Sequence, residues 1–283
     1  SYPGSYGFEE KDAQTFADWG VDYLKYDNCF VNPLVNHAKE QYKKMGKALE
    51  KTGRDIFYSI CSWGQEEPWL WGPQVGDSWR ISGDIGDLWS IKTLNEWYKC
   101  PCKGNWCPKV IISGGHDCSV LNILGKIEHL TQYTSSLGFN DADMLEIGRG
   151  GMTMEEYRTH FAFWAALKSP LLIGADLATL SPDMLALLTN KDLLEINQDP
   201  LRESIKIVVK DPKKSQIWKG KLADGSFVLL IMNEMDQQQT IRVTFSKLGI
   251  PSLFKSDNGE YFVKDLFSSR QPFYCSGTMT LTI

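Results

Sequence analysis

The sequence predicts an α/β fold: the last five units of a (β/α)8 TIM barrel, followed by a C-terminal antiparallel β domain. Three observations predict it. Strand and helix patterns alternate five times between residues 1 and 203. Polar residues gather at the C-terminal ends of the strands (Asp27, Ser62, Asp84, Asp143 and Asp176), the edge that carries chemistry in a barrel. From residue 204 to 283 the apolar pattern shifts to period two, with turn signals at 223–225 and 256–259.

The elements follow in order. Residues 12–20 read as a short helix feeding the strand "VDYLKYDNCF" at 21–30. Residues 37–53 place Ala38, Tyr42, Met45 and Leu49 on one helical face, and Gly53 stops the helix. "DIFYSIC" (55–61) and "SWRISGDI" (78–85) are strands, the second leading into a helix over 87–98. Ser119 caps a helix running to residue 133, and "FNDADMLEI" (139–147) is the next strand. Thr153 and Glu156 open a helix over 153–169 in capping-box spacing. "PLLIGADL" (170–177) is the fifth strand, and Ser181 before Pro182 starts a last helix reaching residue 197. The boundary divides a partial catalytic barrel, 1–203, from an antiparallel β-sandwich domain, 204–283, which closes on a strand with no tail.

Composition narrows the function. The chain has 283 residues, 42% of them hydrophobic, and a formal charge of −5, so nothing basic runs long enough for nucleic acid. No apolar run approaches the ~20 residues that span a bilayer, and no GxGxxG or P-loop follows a strand. The expected partner is a small polar molecule rather than nucleic acid or a membrane. The chain opens without Met or a leader pattern and reads as an internal fragment, so the lack of a targeting signal says nothing about location. No feature fixes the oligomeric state.

There are seven cysteines, and four lie in "CPCKGNWCPKVIISGGHDC". Zinc is one reading, but the Cys-x-Cys start departs from structural zinc spacing, and neighbours so close rarely bond to each other. Two nested bridges, Cys100–Cys118 and Cys102–Cys107, fit better and point to a secreted protein. The odd total leaves at least one cysteine over.

On the strand at 21–30, Tyr23, Lys25, Asp27 and Cys29 share one face. Apolar neighbours on both sides mark a parallel strand covered on both faces, where an unpaired charge costs several kcal/mol. Lys25 and Asp27 can pair with each other, which is the plain structural alternative. A second strand repeats the pattern with Arg80, Ser82 and Asp84. Two carboxylates facing one mouth are the apparatus of glycoside hydrolysis. Lys25 beside Asp27 would keep it ionised, Arg80 offers a planar donor fork for hydroxyls, and Trp63, Trp69, Trp71 and Trp79 lie near the strand ends. Singly, each tryptophan suits a core better than a ligand.

These motifs ("PGSYGFEEKDAQTFADWGVDYLKYDNC", "SWRISGDI", "FNDADMLEIG", "KSPLLIGADL", "LLEINQDPL") resemble the retaining α-galactosidases of glycoside hydrolase family 27, the secreted fungal melibiase type. The resemblance covers residues 1 to about 201; the β domain matches in position and type. It implies Asp27 as nucleophile, Asp84 as general acid/base, and Lys25, Arg80, Gln132 and Ser62 as sugar-facing positions; Trp63, from its place at the strand end, is a further candidate sugar contact. It implies that Cys29 bonds to a cysteine upstream of Ser1, and that the nested pairing of the other four is the family's. Asp141 and Asp143 are family-typical and read as structural. The early strand bearing the family's paired sugar-binding aspartates is absent from the sequence. No metal or organic cofactor is expected, and His37, His116, His129 and His160 have no common spacing.

The resulting expectation is hydrolysis of terminal α-galactosyl residues, from melibiose- or raffinose-type sugars, by double displacement. Two alternatives are an α-N-acetylgalactosaminidase, suggested by the small Ser62 though not by the bulkier Gln65, and an inactive galactose-binding relative.

Overall fold

The protein is described from a computed structural model covering residues 4–29, 37–90, 118–211, 214–252, 259–268 and 270–283. Helix α1 (Glu9–Asp18) leads into β1 (Tyr23–Asp27), α2 (Ala38–Thr52) and β2 (Phe57–Cys61). Then come α3 (Pro68–Trp71), β3 (Ser78–Arg80), α4 (Val120–Ile127), β4 (Phe139–Asp141) and α5 (Met154–Ala166). The strands pair in chain order, β1-β2-β3-β4, and every pair is parallel. Sequential parallel order without a reversal is the arc of a barrel, not a doubly wound sheet.

Local signals explain most boundaries. Gly53 ends α2 in the left-handed region, at φ 72°. Ser119 and Asn122 form a capping box on α4, as do Thr153 and Glu156 on α5. The outer face of the sheet packs on α2 and α3 through Tyr26, Tyr42, Tyr58 and Trp71, whose neighbouring rings lie 5.8–6.3 Å apart.

Two elements differ from the sequence pattern. The fifth strand is reduced to one parallel bridge, Leu145 to Ile173, with Leu172 and Ile173 part-exposed. The helix expected over 181–197 is two, α6 (Pro182–Leu188) and α7 (Lys191–Asn197). Asn190 breaks it: its side chain accepts from the Leu193 N–H and caps α7 instead of continuing α6. The helix expected over 87–98 falls mostly outside the described residues.

After α7 the strands are antiparallel. A three-stranded sheet, β5 (Lys206–Asp211), β6 (Ser215–Lys221) and β7 (Phe227–Asn233), lies beside two pairs. These are β8 (Thr240–Thr244) with β11 (Thr278–Thr282), and β9 (Glu260–Val263) with β10 (Phe273–Ser276). Ile217, Val243, Phe245, Ile250 and Tyr261 form their own core. Trp218 and Met232 instead join the barrel core, where Trp218 meets Phe163 of α5 edge-on at 5.4 Å. Among the described residues, no helix is long and apolar enough to cross a membrane.

Candidate active site

Register brings the inner-face side chains into one row at the last rung of the sheet. Asp27 pairs with Cys61, and Arg80 with Asp141; Ile60 beside Trp79 sets Cys61 next to Arg80. A carboxylate, a thiol, a guanidinium and a second carboxylate thus stand side by side on four strands. The alternate residues Tyr26, Ile60, Trp79 and Asn140 take the outer face.

Arg80 is the centre of the row and is 1% exposed. Its Nη2 donates to Asp84 Oδ1 at 3.0 Å and to the Gly83 carbonyl at 2.9 Å. The same nitrogen lies 2.6 Å from Asp143 Oδ2, and Nη1 is 3.8 Å from the Cys61 sulfur. Burial alone would push the guanidinium down, but the Asp143 carboxylate, backed by Asp141, Cys61 and Asp84, turns the net shift upward. Burial pushes Asp141 above the usual carboxylate range, against the pull of Arg80. The Cys61 thiol is pushed up by burial against the pull of Arg80, with the neighbouring Asp27 also raising it.

Lys25 corrects one expectation. Its ammonium makes its ion pair with Asp143 Oδ1, at 4.0 Å, and not with Asp27 two residues along. The strand's pleat points both side chains the same way, and the buried carboxylate across the mouth is the stronger attractor. Asp84, 65% exposed, stands at the rim. Strand β3 ends at Arg80, so Asp84 arrives through a turn rather than by strand alternation.

The loop after β2 supplies Trp63, whose Nε1 donates to Asp84 Oδ1 at 3.2 Å. Trp63, Glu66 and Glu67 all have positive φ (53°, 57° and 52°), a costly conformation for non-glycine residues. Gly64, at φ 77°, admits the loop: a Cβ there would sit 2.3 Å from the Ile81 carbonyl oxygen. Its N–H donates to the Arg80 carbonyl, and the Trp71 indole donates to Glu66 O. Ser62 is fully buried, its hydroxyl turned onto the Gln65 carbonyl at 3.4 Å. It is not on a wall that a sugar could touch, because the loop folds over it. Gln65 instead faces Asn28, accepting from its amide at 3.1 Å. Trp69, Trp71 and Trp79 are buried in the core.

Gln132 does not join this group. It lies in a 3₁₀ turn at Thr131–Tyr133, before the N-terminal end of β4, and its amide donates to His129 O. That is the sheet edge opposite the carboxylates. Cys29 is exposed just beyond β1. Cys118 is disulfide-bonded; its expected pairing with Cys100, and that of Cys102 with Cys107, lie outside the described residues. Among the described residues no cluster of His, Cys, Asp and Glu could hold a metal.

The residue that sequence reasoning undervalued is Asp143, which touches both cations of the site. Its place at a C-terminal strand end marks it in the sequence, yet there it reads as structural.

The model of the family described as "Alpha galactosidase A" matches residues 1–106 and 118–199, which is more than half of the chain. The chain belongs to that family. The "Alpha galactosidase C-terminal beta sandwich domain" matches residues 212–283. An α-galactosidase of Schizosaccharomyces pombe, mel1, is 40% identical over 277 residues, which is 95% of this chain and 61% of that one. The α-galactosidase of Cyamopsis tetragonoloba is 39% identical over 248 residues, 88% of this chain and 53% of its own. The chain therefore spans between about half and three-fifths of these relatives' length. Among solved structures, α-galactosidase I of Mortierella vinacea superposes with TM-score 0.88 at 35% identity, covering 100% of this chain and 70% of that one. The α-galactosidase of Saccharomyces cerevisiae solved with raffinose gives TM-score 0.81 at 33% identity, covering 96% and 62%. The family fold is the (β/α)8 barrel with a C-terminal β domain, and the parallel arc and the antiparallel strands are its parts.

Proposed function

We propose that the protein is a retaining α-galactosidase that releases terminal α-galactosyl residues from small oligosaccharides. The observation that carries this reading is the pair of carboxylates, Asp27 and Asp84, at one mouth of the sheet, with buried Arg80 ending the strand that leads to Asp84. Asp27, the nucleophile, attacks the anomeric carbon while Asp84 protonates the departing oxygen; Asp84 then draws a proton from the water that releases galactose with retained configuration. The Trp63 indole and Arg80 both donate to Asp84 Oδ1 and aim that carboxyl. Lys25 is the cation available to sugar hydroxyls and Trp63 offers a ring face, whereas Arg80, expected to touch the sugar, is buried and acts on Asp84 instead. None of these steps calls for a cofactor.

The division of labour follows the fold: residues 1–203 form the catalytic part, and 204–283 form a β sandwich that packs against it through Trp218. The disulfide at Cys118 favours an oxidising, extracellular location.

The test is hydrolysis of an aryl α-galactoside beside the aryl α-N-acetylgalactosaminide, with the product anomer followed by NMR. Asp27→Asn should lower turnover of the galactoside by at least about a thousandfold, some 4 kcal/mol of barrier, with an unchanged melting temperature. First release of the inverted anomer would overturn the mechanism. Turnover of the N-acetyl substrate alone would overturn the sugar. Binding of galactose without turnover would leave an inactive relative.

A further inference from the structure

We propose that Asp143 is a positioning residue: it fixes both cations of the site and holds the proposed acid/base residue Asp84 from two directions. It has 6% exposure, and each carboxylate oxygen takes one cation and one backbone donor. Oδ1 faces Lys25 Nζ at 4.0 Å and accepts from Met144 N at 2.8 Å. Oδ2 faces Arg80 Nη2 at 2.6 Å and accepts from Ile85 N at 2.8 Å. The two cations come from strands separated by β2, and Asp143, just past β4 on the far side of β3, reaches both of them.

The grip on Asp84 is double. Arg80 Nη2 lies between Asp143 and Asp84, bridging the two carboxylates through one nitrogen. Ile85, whose N–H binds Asp143, directly follows Asp84 in the chain and fixes its backbone. Asp143 is itself held hard. Its φ is 80°, its N–H donates to Asp141 Oδ1 at 2.7 Å, and its carbonyl accepts from Trp164 Nε1 at 2.7 Å. A carboxylate that served only to neutralise a buried arginine needs neither the left-handed backbone nor a second cation. Strain of this kind, stored beside reacting groups, points to placement of those groups.

Asp143 neither attacks nor transfers a proton; it acts through Arg80, Lys25 and Asp84. Its effect on turnover rests on the α-galactosidase reading, whereas its effect on Arg80 does not. The test uses Asp143→Asn, isosteric but neutral and able to accept on one side only. Two readouts are taken: steady-state kinetics on an aryl α-galactoside, and the ¹⁵N NMR signals of the Arg80 guanidinium. In the wild type the guanidinium should give separate, slowly exchanging Nη signals, as a group held by several acceptors does. In the variant these signals should merge while the backbone spectrum persists. KM should rise at least tenfold as Lys25 and Arg80 lose their anchor, and kcat should fall as Asp84 drifts. A folded variant whose melting temperature drops but whose Arg80 signals and KM match the wild type would overturn the proposal. If Asp143→Asn does not fold, Asp143→Glu, which keeps the charge and moves it by one methylene, is read in the same way. If the wild type cleaves no α-galactoside, the enzymatic reading fails by itself; merged Arg80 signals then still support the anchoring role, and unchanged ones overturn it.

Discussion

The two faces of the four-stranded sheet are built from the same strands and are opposite in chemistry. Outward, Trp79 is fully buried, its indole donating to Asn140 Oδ1 at 2.8 Å. A Cβ at Gly72 or at Gly138 would come within 2.6 Å of its ring, so two glycines let the backbone close on it. Inward, one residue later, Arg80 is equally buried but among carboxylates. The outer face is held by dense packing, which is indifferent to pH. The inner face is held by charges that lose their water and recover it only through each other. Stability and chemistry are thus segregated by the parity of a residue along its strand.

Neighbouring substitutions on β3 would break this contrast most sharply. Trp79→Ala should cost about 3–5 kcal/mol in urea unfolding, the usual price of a buried indole, with little dependence on pH. Equal losses at pH 5 and pH 8 are the expected result, and a steep pH slope would mean that the outer face is not a purely apolar one. Arg80→Met should cost about 3 kcal/mol near neutrality, because it takes the neighbouring cation from buried Asp141 and leaves Asp143 with Lys25 alone. That loss should shrink as pH falls, since protonation relieves the stranded charge, and a pH-independent loss would place the inner row nearer to packing than to electrostatics.

A smaller effect lies where the helix layer meets the inner row. His160 of α5 stacks edge-on to Trp164, with ring centroids 4.1 Å apart, and its Nε2 accepts from Glu146 N. Burial pushes its pKa down to about 3 from the ordinary 6.5. The unfolded chain takes up this proton below pH 6.5 and the folded one does not, so stability is complete above that pH and drains away as pH falls toward 3. His160→Gln can still accept from Glu146 but cannot titrate. It should cost about 1 kcal/mol at pH 7 and move the acid-unfolding midpoint to lower pH; an unmoved midpoint would locate acid sensitivity elsewhere. Glu146, lifted by burial to about 7, acts in the opposite sense, since a raised carboxyl loses its contribution as pH climbs.

Much of the architecture was legible because it rests on short-range signals. Period-two strands, the two capping boxes and polar residues at successive strand ends are local patterns, and they placed β1 to β4 and Asp27, Arg80 and Asp84 at one edge. What stayed hidden depends on partners distant along the chain. Nothing in the spacing of Lys25 and Asp27 reveals that Asp143, more than a hundred residues on, holds the lysine. Gln132 is a candidate by the family resemblance alone; its 3₁₀ turn precedes β4, which puts it at the edge opposite the carboxylates. The fifth strand has the apolar run of a buried strand, yet among the described residues it makes one bridge, Leu145 to Ile173.

The loop that carries Trp63 bears on how this site can change over generations. Its path is dictated by backbone contacts, namely Gly64 against Ile81, the Gly64 N–H on Arg80 O and the Trp71 indole on Glu66 O. Few of its exposed side chains are needed to hold that path. Mutation can therefore exchange Gln65 for groups of other size and polarity while the frame stays put, whereas a change at Trp63 also releases its indole from Asp84. Ser62 and Gly64, sealed inside the turn, are the positions where such exchanges end in a lost fold instead.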